Sequence, residues 1–182
     1  VYEMQGFEAD DLIGSLSLQA EQQGYDSIIV SGDLDMLQLV SEHVTLMTTR
    51  MGVGATVMYD PARIEERYGL APGQMIDFKA LKGDTSDNIP GLPGVGDKTA
   101  IQLIEDFGSV EAIIERVDEV QPAALQANVR EHVDQMRQSK HLATIGNAPR
   151  SPSPFTRTCS GTRAAISLRT MATTPGPCRS GS

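Results

Sequence analysis

The chain has 182 residues, 40% of them hydrophobic and 4% aromatic, with a formal net charge of −9. That length gives one ordinary domain or one larger and one smaller unit, and no apolar run is long enough to span a bilayer. The negative charge argues at face value against a nucleic-acid partner, but carboxylates that hold divalent cations lower their effective charge, so DNA is not excluded.

Charge is unevenly spread. All 24 acidic residues and ten of the 15 basic ones lie before Asn147, and from there on the chain has five Arg and no acid. Both cysteines, Cys159 and Cys178, fall in that last stretch. A disulfide framework for the main body is thereby excluded, and a cytoplasmic location is the expectation. The opening Val1-Tyr2-Glu3-Met4 already reads like a strand, so the chain is expected to begin inside a longer protein.

Val1 to Gln5 reads as a short strand, and Glu8-Ala-Asp10-Asp11 opens a helix with Leu12, Ile13, Leu16 and Ala20 on one face and Gly24 as its stop. Ile28-Ile29-Val30, within Asp26 to Ser31, is a β-branched apolar run typical of a buried strand. Gly32-Asp33-Leu34-Asp35 follows its end, then a brief helix through Met36, Leu37, Leu39 and Val40, then a second strand from His43 to Thr48. This is α/β order with acids at the carboxyl ends of strands, where open α/β sheets place their sites.

Arg50 to Gly54 reads as a turn and Thr56 to Tyr59 as a small strand, together a hairpin. Pro61 opens a helix that stops at Gly69, and Pro72 opens another carrying Met75, Ile76, Phe78, Lys79 and Leu81 to Gly83. Asp97 to Phe107 and Ser109 to Val117 read as helices, and Pro122 to His141 as one longer helix with Leu125, Val129, Val133 and Met136 on its apolar side. From Asn147 onward Pro, Ser, Thr, Arg and Gly replace periodic apolar faces, so residues 147–182 are expected to be a tail, disordered or out of frame.

The chemistry concentrates in three acidic groups on three loops: Glu8, Asp10 and Asp11; Asp33 and Asp35; Asp84 and Asp87. Brought together, these carboxylates repel one another and need cations. Hard oxygen ligands without nearby His or Cys point to Mg²⁺ or Mn²⁺, and two such ions serve an in-line phosphodiester displacement. After Asp87, Gly94-Val95-Gly96 allows backbone N–H groups to approach an anion, and the helix start at Asp97 adds unpaired donors, with Lys98 beside them. Taken singly, an Asp-x-Asp is more often a turn or cap than a ligand, and Gly-x-Gly is an ordinary helix connection. His43, His132 and His141 are scattered and read as surface or capping residues.

Gly6-Phe-Glu-Ala-Asp-Asp-Leu-Ile-Gly14, Ile29-Val-Ser-Gly-Asp-Leu-Asp-Met-Leu-Gln-Leu39 and Leu81-Lys-Gly-Asp-Thr-Ser-Asp-Asn-Ile-Pro-Gly-Leu-Pro-Gly-Val-Gly-Asp-Lys-Thr-Ala100 occur in this order and spacing. The set closely resembles the 5′–3′ exonuclease domain of bacterial DNA polymerase I, a family that includes stand-alone 5′–3′ exonucleases and flap endonucleases. The resemblance runs from residue 1 to about 146. It implies part of a PIN-like flap-nuclease α/β core over residues 1–60, then a helical DNA-binding subdomain over 61–146. Glu8, Asp10, Asp11, Asp33 and Asp35 would match carboxylates of the metal cluster, with Asp84 and Asp87 completing the second metal site. Of these, Asp33, Asp35, Asp84 and Asp87 carry the expected catalytic role.

By the same resemblance, Gly94, Val95, Gly96, Lys98 and Thr99 belong to the helix-hairpin-helix of a helix-three-turn-helix, which grips a duplex backbone and often holds K⁺ through carbonyls. Such contact positions DNA without reading its sequence. The expected partner is flapped or nicked duplex DNA, the expected state a monomer, and the expected setting DNA repair and replication. The family's early metal-binding Asp strand and its basic helical arch do not appear in this sequence. A fragment with weak or no cleavage of its own is therefore the expectation. A duplex-binding module with a vestigial acidic cluster is the alternative. An Asp-x-Asp phosphatase at Asp33 and Asp35 is a remote third reading, because it leaves Asp84 to Ala100 unexplained.

Overall fold

The computed structural model describes residues 4–49, 56–146 and 165–170. Helix α1 (Ala9–Gln22) starts behind Glu8, with Asp10 and Asp11 in the first turn where carboxylates meet the positive end of the helix dipole. It buries Ile13 and Ala20 against β1 (Tyr25–Val30), whose Ile29 is fully enclosed. A 3₁₀ turn, Leu34–Leu39, leads to β2 (Val44–Thr49), which lies parallel to β1 from Ser27↔Val44 to Val30↔Met47. Strand β3 (Thr56–Tyr59) returns antiparallel to β2 as the hairpin reading requires. The turn expected at Arg50 to Gly54 lies outside the described residues.

Two expectations for the ends of the chain meet different outcomes. Residues 1–3 of the anticipated first strand are outside the described residues, while Met4 is irregular and Gln5-Gly6 a turn. Most of the anticipated tail is also outside them, but Ala165–Thr170 forms β4, antiparallel to β1 from Tyr25↔Thr170 to Val30↔Ala165. Ile166 and Leu168 alternate there with Ser167 and Arg169, a period-two pattern that the tail's overall composition hides. The sheet order is β3-β2-β1-β4.

One core belongs to the sheet: Ile13, Ile29, Met36, Leu37, Val40, Val44, Leu46 and Tyr59 pack together with Ile64. Ile64 lies on α2 (Pro61–Tyr68), started by Asp60, whose carboxylate accepts the Arg63 N–H at 2.8 Å. Helix α2 thus packs with the α/β unit although its sequence reads as the first helix of the next one. A second core lies in the helical unit built from α3 (Met75–Lys82), α4 (Asp97–Phe107), α5 (Val110–Glu115), α6 (Ala123–Glu131) and α7 (Val133–Ala143). The single long helix expected from Pro122 to His141 is broken at His132, whose φ of −115° and ψ of 24° leave helical geometry. Its N–H is shared between the Asn128 and Val129 carbonyls at 3.1 and 3.2 Å, which closes α6. The break lets Val129 and Met136, on different helices, both reach the helical core.

Packing and hydrogen bonds join the two units. Tyr68 and Met75 pack against both cores. Gln38 donates to the Ala143 carbonyl at 3.0 Å and accepts the Ile145 N–H at 2.9 Å, while Asp11 accepts the Gly146 N–H at 2.7 Å. Inside the helical unit, buried Asp77 accepts the first N–H of α5 from Val110 at 2.8 Å and pairs with Lys140 at 2.7 Å.

Between α3 and α4 the chain reverses through Gly83 (φ 79°) and Gly91 (φ 67°), which press back to back. A Cβ on Gly91 would stand 2.5 Å from the Gly83 nitrogen, and one on Gly83 would stand 2.9 Å from the Ile89 carbonyl oxygen. The contact is anchored by the Gly91 N–H to the buried Ser139 hydroxyl at 3.1 Å and by Gln135 to the Gly91 carbonyl at 2.8 Å. Gly91→Ala combines a forbidden approach with a left-handed φ and is expected to cost at least about 2 kcal/mol. Urea unfolding checks this: the midpoint should fall with the slope unchanged.

Candidate functional site

The Gly83–Gly91 reversal carries a small hairpin in which Asp84 and Ile89 exchange both backbone hydrogen bonds at 2.8 Å. Asn88 takes a φ of 55° at its turn, a conformation that Asn tolerates better than most residues. Asp84 Oδ1 accepts the Ser86 N–H at 2.8 Å and the Ser86 hydroxyl, which aims Oδ2 outward toward Lys79. Asp87 is exposed on the same hairpin.

Asp35 arrives from the α/β unit, on the 3₁₀ turn behind the carboxyl end of β1. Asp33 caps that turn by accepting the Asp35 N–H at 2.9 Å. Oxygens of Asp35, Asp84 and Asp87 all lie within 4.8 Å of one another. The Nζ of Lys79, on α3, stands among them: it hydrogen-bonds Asp35, lies 2.5 Å from Asp87 Oδ2 and 3.4 Å from Asp84 Oδ2. The Lys79 side chain is 12% exposed.

Burial and crowding set the ionisation here. Burial, then the neighbouring charges of Asp33 and Asp35, push the Asp10 carboxyl from 3.8 up to about 6. Asp35 is raised too, by burial first and by Asp33 and Asp87, against the pull of Lys79. Asp84 is lowered, chiefly by its two Ser86 hydrogen bonds and then by Lys79. For Lys79, burial works to lower the value but the hydrogen bonds to Asp35 and Asp87 outweigh it, so it is raised and stays charged.

The seven carboxylates read from the sequence therefore separate into distinct jobs. Asp35, Asp84 and Asp87 meet. Asp10 and Asp33 lie close enough to them for their charges to be felt. Asp11 is committed elsewhere, accepting the Glu8 N–H at 3.1 Å and the Gly146 N–H, and Glu8 is exposed at the N-cap of α1. The converging trio, all oxygen and drawn from two units, fits a hard divalent cation that tolerates water as its remaining ligands.

Past the hairpin, Gly94 has a φ of 75° and Gly96 stands at the N-cap of α4. A Cβ on either would meet nothing within 4 Å, so this face is open. Lys98 is exposed with no acidic partner among the described residues, and Thr99 is half-buried beside it. The Val95 side chain, at 7% exposure, belongs to the helical core, so any part it has in the expected phosphate contact falls to its backbone. Asn128 on α6 braces the turn by donating to the Pro93 carbonyl at 2.7 Å.

Lys79 is the site residue that pattern reading passed over. Its signal was a basic residue among the apolar Met75, Ile76, Phe78 and Leu81, little more than a helical turn before Asp84, and the neighbouring Asp77 and Lys82 masked it. The Asp10 shift yields a stability test with a definite sign. The folded carboxyl, at about 6 against 3.8, contributes stability that is fully present below about pH 4 and lost as the pH rises through about 6. With a chelator present, Asp10→Asn should flatten that fall and raise the melting temperature at pH 7.5 by about 2–4 °C, with little change at pH 4.

Residues 1–69 match the model of the 5′–3′ exonuclease N-terminal resolvase-like domain, and residues 70–157 that of the 5′–3′ exonuclease C-terminal SAM fold. DNA polymerase I of Bacillus caldotenax is 45% identical over 144 residues, and that of Bacillus subtilis (strain 168) 48% over 144. Each alignment covers 79% of this chain and 16% of the relative, so the chain spans about a sixth of the polymerases it matches. In fold, it is similar to the T5 5′-exonuclease with bound zinc, at a TM-score of 0.67 and 24% identity over 78% of this chain and 51% of that one. It is also similar to the catalytic core of Rad2 in complex with DNA substrate, at 0.53 and 20% over 83% and 52%. With two models of one family matched end to end from residue 1 to residue 157, the chain belongs to the 5′–3′ exonuclease family.

Proposed function

We propose that this chain serves 5′–3′ exonucleolytic and 5′-flap hydrolysis of DNA phosphodiesters, assisted by two divalent cations, Mg²⁺ or Mn²⁺, in DNA repair and replication. The observation that carries it is the meeting of Asp35, from behind β1, with Asp84 and Asp87, from the hairpin of the other unit, within 4.8 Å. Of the family's carboxylates, Asp35, Asp84 and Asp87 would hold one cation, and Asp10 and Asp33 would help to hold a second. Glu8 and Asp11 would support that second cation from the start of the first helix, Asp11 with the lone pairs left over from its two backbone N–H groups. The cations supply charge neutralisation at the phosphate and an acidified water.

The chain's own residues divide the remaining work. Ser86 fixes the direction of Asp84, and Asp33 fixes the turn that presents Asp35. The open backbone from Gly94 to Gly96, the first N–H groups of α4 and Lys98 suit a duplex phosphate, and none of them offers readout of a base edge. Relatives whose structures hold DNA or metal ions support this reading of the fold. The Asp-x-Asp phosphatase reading falls with the family membership. A duplex-binding module without chemistry has one observation in its favour: Lys79 already satisfies the trio's charge in part.

Mn²⁺ binding separates these readings. Asp84-dependent Mn²⁺ binding is expected, with release of 5′ products from a flapped duplex weak in this chain and whatever is measured reduced at least about a hundredfold in Asp84→Asn. Duplex binding without carboxylate-dependent Mn²⁺ binding would favour the module instead. For the grip, Gly96→Val is expected to fold, since a φ of −104° suits any residue and the added atoms meet open space. It should weaken duplex binding about tenfold in fluorescence anisotropy while leaving Mn²⁺ affinity unchanged, because a branched Cβ keeps a phosphate off the amides. Equal loss of both would contradict a division of labour between hairpin and helix start.

A further inference from the structure

Lys79 is the one cation that reaches the Asp35, Asp84 and Asp87 carboxylates among the described residues. Lys82, one turn on, pairs with Asp97 at 3.0 Å and lies over the Phe78 ring. Arg67 is held by the Tyr59 hydroxyl and stacks against Tyr68. The Lys79 ammonium faces the Oδ2 atoms of all three acids. A divalent ion bound by this trio needs inner oxygens at about 2.0–2.1 Å for Mg²⁺, a space that an ammonium already fills and that two cations do not share. Three negative charges against one positive also leave the trio short of neutrality, so the better-charged occupant has an electrostatic advantage.

We propose that the Lys79 ammonium and a divalent cation are alternative occupants of the Asp35, Asp84 and Asp87 carboxylates, so that metal loading expels Lys79. The inference rests on reading this trio as a cation site. The expelled side chain has somewhere to go: Lys79 lines a groove of about 640 Å³ together with Asp35, Asp84, Arg67, Met75 and Phe78, so its ammonium can leave the carboxylates without leaving the groove. There its methylene stem lies against Met75 and Phe78 while the ammonium reaches the groove's water. Arg67 lines the same groove, and Lys82 does so paired with Asp97, so a freed Lys79 ammonium adds one positive charge to it as the metal arrives. Lys79 in this account is a placeholder that keeps Asp35 and the hairpin apposed before loading. It is a positioning residue.

The test uses the 182-residue chain and Mn²⁺ alone, followed by electron paramagnetic resonance of the free ion. Lys79→Met keeps the stem and removes the competitor, and should bind Mn²⁺ about tenfold more tightly at unchanged stoichiometry, the equivalent of freeing a few partly exposed ion pairs. Lys79→Arg keeps the competitor and should stay within about twofold of the parent. Equal or weaker binding by a folded Lys79→Met overturns the exchange. In the parent chain, peptide-resolved modification by an imidoester should be slow at Lys79 in chelator and several times faster with Mn²⁺, with Lys140 as the control, since its partners Asp77 and Glu111 lie outside the trio. An unchanged or slower Lys79 rate overturns the exchange whether or not the variants fold. If neither parent nor Lys79→Met binds Mn²⁺ in an Asp84-dependent way, the metal reading itself falls; Mn²⁺ binding that leaves Lys79 unmoved sinks the exchange alone.

Discussion

Two glycines with no room between them hold this site in place. Gly83 and Gly91 touch backbone to backbone, closer than any side chain permits, and everything chemical in the hairpin follows from that approach. Because the strands of the reversal are that close, Asp84 and Ile89 can pair, and because they pair, two carboxylates project from one short turn. The contact is itself held from behind by Ser139 and Gln135 on α7, so the precision of the acids is transmitted from the helical core. Sites built on packed elements keep their geometry better than sites on free loops.

Against this rigid support works a repulsive one. Asp10, Asp33, Asp35, Asp84 and Asp87 crowd the seam between the two units, and burial first, then the neighbouring charges, raises the Asp10 and Asp35 carboxyls. A protein with no further use for these acids would gain stability by replacing them. That they share the seam with a single ammonium is the trade of stability for function that strained or crowded groups commonly mark.

Much of the fold was legible because its signals are local. Ile28-Ile29-Val30 announces a buried strand, Pro61 and Pro72 announce helix starts, and Asp84 with Asp87 announce the site. What escaped depends on distance. The break at His132 arises where two halves of one apolar stripe must reach different parts of the helical core, which periodicity alone does not show. Asp11 also accepts the backbone N–H of Gly146, 135 positions away, a bond that its place beside Asp10 does not reveal. Val95 lies between two open glycines, and its side chain joins a core drawn from several helices. Attention to Gly94 and Gly96 was drawn by their spacing, whereas the glycines that no other residue can replace are Gly83 and Gly91, identifiable only once their mutual approach is known.

The bonds from Gln38 to Ala143 and Ile145, and from Asp11 to Gly146, also set an order of events in time. They close loops of 105, 107 and 135 residues, the costliest contacts in chain entropy that the two units share. The sheet core and the helical core can each condense from nearer partners, and the seam is clasped last. During synthesis, a ribosome still holding residues 143–146 in its exit tunnel leaves Asp35 and the Asp84 hairpin joined through Lys79 and the packing of Tyr68 and Met75, with the clasp still open. The clasp is thus a fastening that the growing chain gains only once these residues are free.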